Sequence, residues 1–290
     1  MHQSSEPETI GATIQAASRR LAAAGFETPR LDAEVLLRHL LGWDRTTLFL
    51  HLPSPLPNDM ADPFLSLLER RLAGEPVAYL TGQREFMGLP FLVEPNVLIP
   101  RPETELLVEW AVAQGPRTTV VEIGTGSGAI ALSLASHVAA DWTHQIVASD
   151  LSAAALAIAV ENRRRLNLVD RVAFVRGNLA TWCGGPVDLL LANLPYLRPD
   201  QIASNPGLRP EPLDALLGGE DGLDLIRRLS ADLPRLLVAG SAIGLEIDPS
   251  QTTAVVTLLR STLPASEVTI VTDLAGLPRH VIARIGSAEW

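Results

Sequence analysis

The stretch Val120-Val121-Glu122-Ile123-Gly124-Thr125-Gly126-Ser127-Gly128-Ala129-Ile130 runs from an apolar segment through a glycine turn into a helical pattern. Thr119 to Ile123 reads as a buried strand, and a helix begins near Ala129. Glycine at 124, 126 and 128 permits a tight turn in which a ligand can approach backbone N–H groups at a helix N-terminus. Because Ala129 follows Gly128, the run also satisfies the looser dinucleotide fingerprint GxGxxA, so the turn alone leaves the cofactor class open.

Downstream, further strand-like runs alternate with helical patterns: Gln145 to Asp150, Val172 to Gly177, Asp188 to Asn193 and Ser241 to Ile247. Continuous apolar strands separated by helices indicate a parallel sheet covered on both faces, the doubly wound α/β class. Two last strands, Glu267 to Asp273 and His280 to Ile285, are joined by Leu274 to Arg279, too short for a parallel crossover, so they are expected to pair antiparallel. The expected sheet is mostly parallel and seven-stranded. Asp150 ends the second strand about twenty residues after the glycine turn, where a carboxylate can accept both hydroxyl groups of a ribose, and Ser152 is placed to cap the next helix.

Upstream the pattern is helical from Thr9 to Ala73, with apolar positions at Leu31, Val35, Leu36 and Leu40 and again at Phe64, Leu67, Leu68 and Leu72. Breaks fall at Gly25 with Pro29, at Gly42, and at Pro53, Pro55 and Pro57. Between this region and the sheet, β-prone pieces at Glu85 to Met87 and Phe91 to Val93 flank Gly88 and Pro90, a hairpin signal. The expected organisation is a helical domain over 1–76, a β-hairpin connector over 77–100 and an α/β domain over 101–290.

The fourth strand ends in Asn193-Leu194-Pro195-Tyr196. Open α/β sheets bind ligands outside their carboxyl edge, so this turn is the candidate reaction centre. Its chemistry suits a planar amide. The Asn193 side-chain oxygen and the Leu194 carbonyl can accept the two N–H groups of an amide, and Tyr196 offers an apolar face to its plane.

Composition narrows the classes. The 290 residues carry a formal net charge of −10, with no basic run beyond Arg163 to Arg165, which opposes free nucleic acid as a substrate. Met1 to Ile10 lacks a basic or apolar leader and no apolar stretch is long enough to span a bilayer, so a soluble cytoplasmic chain is expected. One cysteine, Cys183, excludes an intrachain disulfide, and the six histidines show no metal-ligand spacing, so no metal is expected.

The chain resembles the protein-(glutamine-N5) methyltransferases that act on peptide-chain release factors. The resemblance rests on AYLTGQREFMGLPF (78–91), VLIPRPETELLVE (97–109), VEIGTGSGAIAL (121–132), ANLPY (192–196) and EPLDALLGGEDGLDLIRRL (211–229). It implies a Rossmann-like methyltransferase fold and S-adenosyl-L-methionine as cofactor. The cofactor would be bound by Gly124, Thr125, Gly126, Ser127, Gly128, Asp150, Asn178, Leu179 and Asn193. Asn193, Leu194, Pro195 and Tyr196 would hold the substrate glutamine of a GGQ tripeptide, and the helical domain of a monomer would dock the release factor. Three alternatives stay open: a ribosomal-protein glutamine methyltransferase, an adenine-N6 DNA methyltransferase and a non-catalytic cofactor-binding adaptor. The chain departs from the family's usual NPPY tetrapeptide at Leu194, which keeps a backbone carbonyl while Pro195 confines it to extended geometry. It also carries Asn178 where many relatives have Asp.

Overall fold

In the computed structural model, which describes residues 9–143 and 145–286, the chain divides into two units, Met1–Gly82 and Gln83–Trp290. The first is helical: α1 (Ile10–Ala23), α2 (Pro29–Leu41), α3 (Arg45–Leu50), α4 (Ala61–Leu72) and α5 (Val77–Thr81). Short polar side chains start two of these helices, Thr9 accepting from the Ala12 N–H at 3.2 Å and Asp44 from the Thr47 N–H at 2.7 Å. Ile14, Leu21, Leu36, Leu37, Phe64 and Leu68 close the core. The apolar stripe expected on α2 is rotated. Leu31 is 52% exposed, and Ala33 and Leu37 face inward beside Leu36. Asp32 is buried on the same helix, where it accepts from the Arg71 guanidinium at 2.8 Å and from the Thr28 hydroxyl at 2.8 Å. A paired carboxylate can occupy a position that hydrophobicity assigns to a leucine.

The second unit opens with the hairpin β1 (Gln83–Phe86) and β2 (Leu89–Leu92). Its two-residue turn places both Met87 (φ 52°) and Gly88 (φ 72°) in the left-handed region, as a type I′ turn requires. The Glu105 carboxylate accepts from the Met87 N–H at 2.7 Å, which holds a methionine in a conformation that L residues disfavour. Phe86 and Phe91 meet edge to face with centroids 6.0 Å apart and sit fully inside the core of the α/β layer. The hairpin is thus part of the second unit's core, and the division of the chain falls after Gly82.

Beyond the hairpin come α6 (Glu105–Ala113), β3 (Thr119–Ile123), α7 (Ala129–His137), β4 (Gln145–Asp150), α8 (Ala153–Arg165), β5 (Val172–Arg176), β6 (Leu189–Ala192), α9 (Pro199–Ser204), α10 (Asp224–Ser230), α11 (Leu233–Leu236), β7 (Ala242–Glu246), α12 (Thr252–Thr262), β8 (Ser266–Thr272) and β9 (Pro278–Ile285). The strands form one seven-stranded sheet in the order β5-β4-β3-β6-β7-β9-β8. β3 through β7 pair parallel, and β9 pairs antiparallel with β7 and with β8. Every residue of β6 and β7 is buried, as expected for strands covered on both faces. The strand order reverses between β3 and β6, so their carboxyl ends open a crevice. The arginine triplet on α8 is not uniformly a solvated face: Arg164 and Arg165 pair with Glu161, but Arg163 is half-buried, donating to the Val172 carbonyl at 2.8 Å.

Asn162 on α8 ties the hairpin to the glycine turn. It is fully buried; its oxygen accepts from the Leu92 N–H at 2.7 Å and its NH₂ donates to the carbonyls of Leu92 (3.0 Å) and Ser127 (2.9 Å). Asn162→Ala removes all three bonds and leaves buried backbone groups unpaired, so it should destabilise the fold by about 3 kcal/mol. A urea midpoint unchanged from wild type would show that the hairpin is held by its phenylalanines alone.

Candidate active site

Gly124 follows β3 and its N–H donates to the Ser149 carbonyl of β4 at 2.8 Å, as does the Thr125 N–H at 2.9 Å, which turns the chain away from the sheet. A Cβ at Gly124 would lie 3.1 Å from a methyl of Leu194, so the glycine turn and the Asn193-Pro195 turn are in direct contact. A Cβ at Gly128 (φ +84°) would sit 2.9 Å from Leu132 and 3.3 Å from Ala159. Gly128 serves the packing beneath the turn and lies outside the cleft lining.

That cleft has a volume of about 640 Å³. Gly124, Thr125, Gly126, Ser127, Asp150, Asn178, Leu179, Asn193, Leu194 and Pro195 all line it. Asp150 stands where β4 ends, with one carboxylate oxygen accepting from the Gly126 N–H and the other from the Ser152 N–H, each at 2.8 Å. Ser152 caps α8 by accepting from the Ala155 N–H at 3.2 Å. Leu179 adopts φ 50°, an uncommon conformation for leucine, and its neighbour Asn178 accepts from the Arg228 guanidinium at 3.0 Å through its side-chain oxygen. Arg228 also lines the cleft.

A second cavity of about 270 Å³ adjoins the first, and Asn193, Leu194 and Pro195 line both. Tyr196 lines only the second, together with Glu103, Glu246 and Arg279, while Arg101 borders both. The four residues expected at the reaction centre are therefore brought together, with the first three forming a shared wall. Asn193 is oriented by a neighbour in the cleft lining: its NH₂ donates to the hydroxyl of buried Thr104 at 3.1 Å, which turns the side-chain oxygen the other way. The Tyr196 hydroxyl donates to Glu246 at 3.1 Å. Burial, and after it the negative charge of Glu246, raise the phenol well above its ordinary range, so Tyr196 stays neutral.

The backbone of this turn is gripped by Gln251 and by the 211–224 segment. Gln251 donates to the Tyr196 carbonyl at 2.8 Å, the Leu197 N–H to Leu216 at 2.9 Å and the Gly218 N–H to Leu197 at 2.9 Å. At Gly222 (φ +76°) a Cβ would fall 2.1 Å from the Tyr196 carbonyl, so no larger residue fits. Glu211, buried, accepts from the Ile99 N–H at 3.0 Å and pairs with Arg101. Sequence reading did not single out Thr104, Glu211, Glu246 or Gln251. Two of them, Thr104 and Glu211, lie in motifs already quoted, but spacing does not say which polar side chain of a motif points inward.

Of the six histidines, His2 and His144 lie outside the described residues, as does most of the amino-terminal segment read for a leader. Among the described residues no group of three or more His, Cys, Asp or Glu side chains could hold a metal ion, and no helix is long and apolar enough to cross a membrane.

Glu122, on β3 below the glycine turn, accepts from the Thr125 hydroxyl at 2.7 Å and the Ala131 N–H at 3.1 Å. Burial is the main cause that pushes its carboxyl up from 4.5 to about 7; the two hydrogen bonds lower it and nearby Asp150 raises it. A raised carboxyl favours the neutral native form. Its stability contribution is thus full below pH 4.5 and is lost as pH rises through about 7. Relative to Glu122→Gln, the wild type should lose about 3 kcal/mol between pH 4.5 and pH 8. Parallel urea titrations of the two proteins check this, and a constant difference across the range would show that Glu122 is ionised throughout.

Two families match the chain: one described as PrmC N-terminal domain, over residues 12–82, and one described as Methyltransferase domain, over residues 120–204. A release factor glutamine methyltransferase from Moorella thermoacetica is 42% identical, over 95% of this chain and 98% of that one. One from Cereibacter sphaeroides is 41% identical, over 95% and 98%. The solved structure of a methyltransferase from Pyrococcus furiosus shares the fold, with a TM-score of 0.52, 19% identity, and coverage of 75% of this chain and 97% of that one. By identity and coverage, then, the chain belongs to the release factor glutamine methyltransferase family.

Proposed function

We propose that this chain transfers a methyl group from S-adenosyl-L-methionine to the side-chain amide nitrogen of the glutamine in the GGQ motif of a peptide-chain release factor. The observation that carries the reading is the shared wall at Asn193, Leu194 and Pro195, with a large cleft on one side and a smaller cavity beside it. Two compartments meeting at one turn suit a transfer between two ligands held end to end.

The residues of the larger cleft fit the proposed cofactor. Asp150 keeps lone pairs beyond its two backbone bonds and can accept from ribose hydroxyl groups, the turn Gly124 to Ser127 exposes backbone to the same space, and Asn178 with Leu179 borders it. When bound there, the cofactor supplies an electrophilic methyl carbon on a sulfonium. An amide nitrogen is a weak nucleophile because its lone pair is delocalised, so the protein's main task is alignment. The Asn193 side-chain oxygen, freed by the Thr104 bond, would accept one amide N–H, the Leu194 carbonyl the other, and Tyr196 would pack against the amide plane. No strong base is needed, because methylation makes the nitrogen cationic and acidic and the proton leaves afterwards. The helical unit carries no site motif, and we assign it the docking of the release factor by a cytoplasmic monomer.

The direct test is mass spectrometry of a release factor incubated with the protein and isotopically labelled cofactor, with ribosomal protein as the competing acceptor. A label confined to the GGQ glutamine is the expected result, and label on ribosomal protein alone would overturn the proposed substrate. Asn193→Ala should slow single-turnover transfer at saturating cofactor by about 10²-fold, roughly 3 kcal/mol, as with other preorganised polar groups. A rate within about threefold of wild type would reduce Asn193 to a turn residue. Asp150→Ala should weaken cofactor binding by about 1.5–3 kcal/mol through loss of a charged acceptor; calorimetry giving unchanged affinity would remove the ribose assignment.

A further inference from the structure

The acceptor cavity is backed by a buried polar pair that the mechanism above does not use. Glu246 is the last residue of β7 and stands directly opposite His280 of β9 in the antiparallel register, so their side chains share a face of the sheet. Both are sealed, Glu246 at 2% exposure and His280 at 0%. One carboxylate oxygen of Glu246 accepts from the Tyr196 hydroxyl at 3.1 Å. The other lies 3.5 Å from a ring nitrogen of His280 and has no hydrogen-bond partner among the described residues, nor has either nitrogen of His280.

Burying a carboxylate and an imidazole with so few partners is costly, and an apolar pair would fill the same positions between β7 and β9 more cheaply. The one directed bond this arrangement makes runs to Tyr196, at the wall of the acceptor cavity. The Tyr196 carbonyl is separately held by Gln251, so backbone and ring tip are fixed from two sides. A ring anchored at its hydroxyl cannot swing about its Cα–Cβ bond, which keeps it at the wall of the cavity where the amide would lie.

We infer that Glu246, backed by His280, is a positioning residue for methyl transfer, acting through the Tyr196 hydroxyl to hold the aromatic wall of the acceptor cavity. The inference rests on the acceptor-cavity reading given under Proposed function. It places part of the rate in a side chain that lines the same cavity and acts through its bond to the Tyr196 hydroxyl.

The test is a double-mutant cycle in the full-length protein, read as single-turnover methylation of a release factor at saturating cofactor, with cofactor affinity measured on each variant. E246L and Y196F should each slow transfer about tenfold while cofactor affinity stays within twofold. The double variant should be within twofold of Y196F, because both changes cut one bond. Multiplied losses in the double variant, or E246L turning over at the wild-type rate, would overturn the inference. Should E246L not fold, E246Q takes its place, being of the same size and still able to accept from the phenol. It should cost about threefold when Tyr196 is present and nothing in the Y196F background. An equal factor in both backgrounds, unity included, overturns the proposal. Asn193→Ala run alongside separates the two readings: a wild-type rate for that variant removes the acceptor cavity itself, whereas a slow one combined with multiplied Glu246 and Tyr196 losses removes only the positioning role.

Discussion

Ile123 of β3 lies beside Ala192 of β6 in a parallel register, and the residues that follow each, Gly124 and Asn193, leave the sheet next to one another. Nothing else at the site would work without this pairing. Parallel neighbours end on the same edge, and a sheet whose order reverses between them leaves no helix over that edge. The space is then filled by whatever the two turns carry: backbone amides on one side, an amide side chain and a proline on the other. The close approach of Leu194 to Gly124 shows how tightly these turns are set, since even one methyl group on the glycine would press on the leucine.

Turns of this kind leave backbone polar groups unpaired inside the protein, and the chain resolves the problem with side chains drawn from distant segments. Asn162 satisfies Leu92 and Ser127, Glu105 satisfies Met87, Glu211 satisfies Ile99, and Gln251 satisfies the Tyr196 carbonyl. Each bond adds only about 1 kcal/mol to stability, but leaving its partner bare would cost more, so the turns are held by avoidance of a penalty rather than by a large gain. Charge follows the same logic. Glu122 accepts two hydrogen bonds below the glycine turn and is nevertheless driven toward its neutral form by burial, which makes the floor of the cleft sensitive to pH near 7.

The parallel strands and their order in the chain were legible because strands buried on both faces leave unbroken apolar runs, and β3 and β4 fall on the residues read from them. The ends of other strands shifted by one or two residues: β6 begins at Leu189 because Asp188 instead caps the start of β3, accepting from the Thr118 and Thr119 N–H groups at 2.8 Å. On α2 the periodicity pointed to Leu31, which is exposed, and missed Asp32, which is buried; apolar spacing carries no information about a charge neutralised by an arginine thirty-nine positions away.

At the site the division is sharper. Sequence alone determined where the elements of the candidate site lie: a glycine turn after a strand, an aspartate ending the next strand, and Asn193 to Tyr196 following the fourth, because the strand–turn–helix period places residues at strand ends without knowledge of the rest. Only the tertiary structure decided how those residues are held. Thr104 meets Asn193 across 89 positions and Glu246 meets Tyr196 across 50. Hydrogen bonds between side chains so far apart depend on strand order, register and the direction each side chain leaves its backbone, and these are set by the packing of the whole sheet, not by any local pattern.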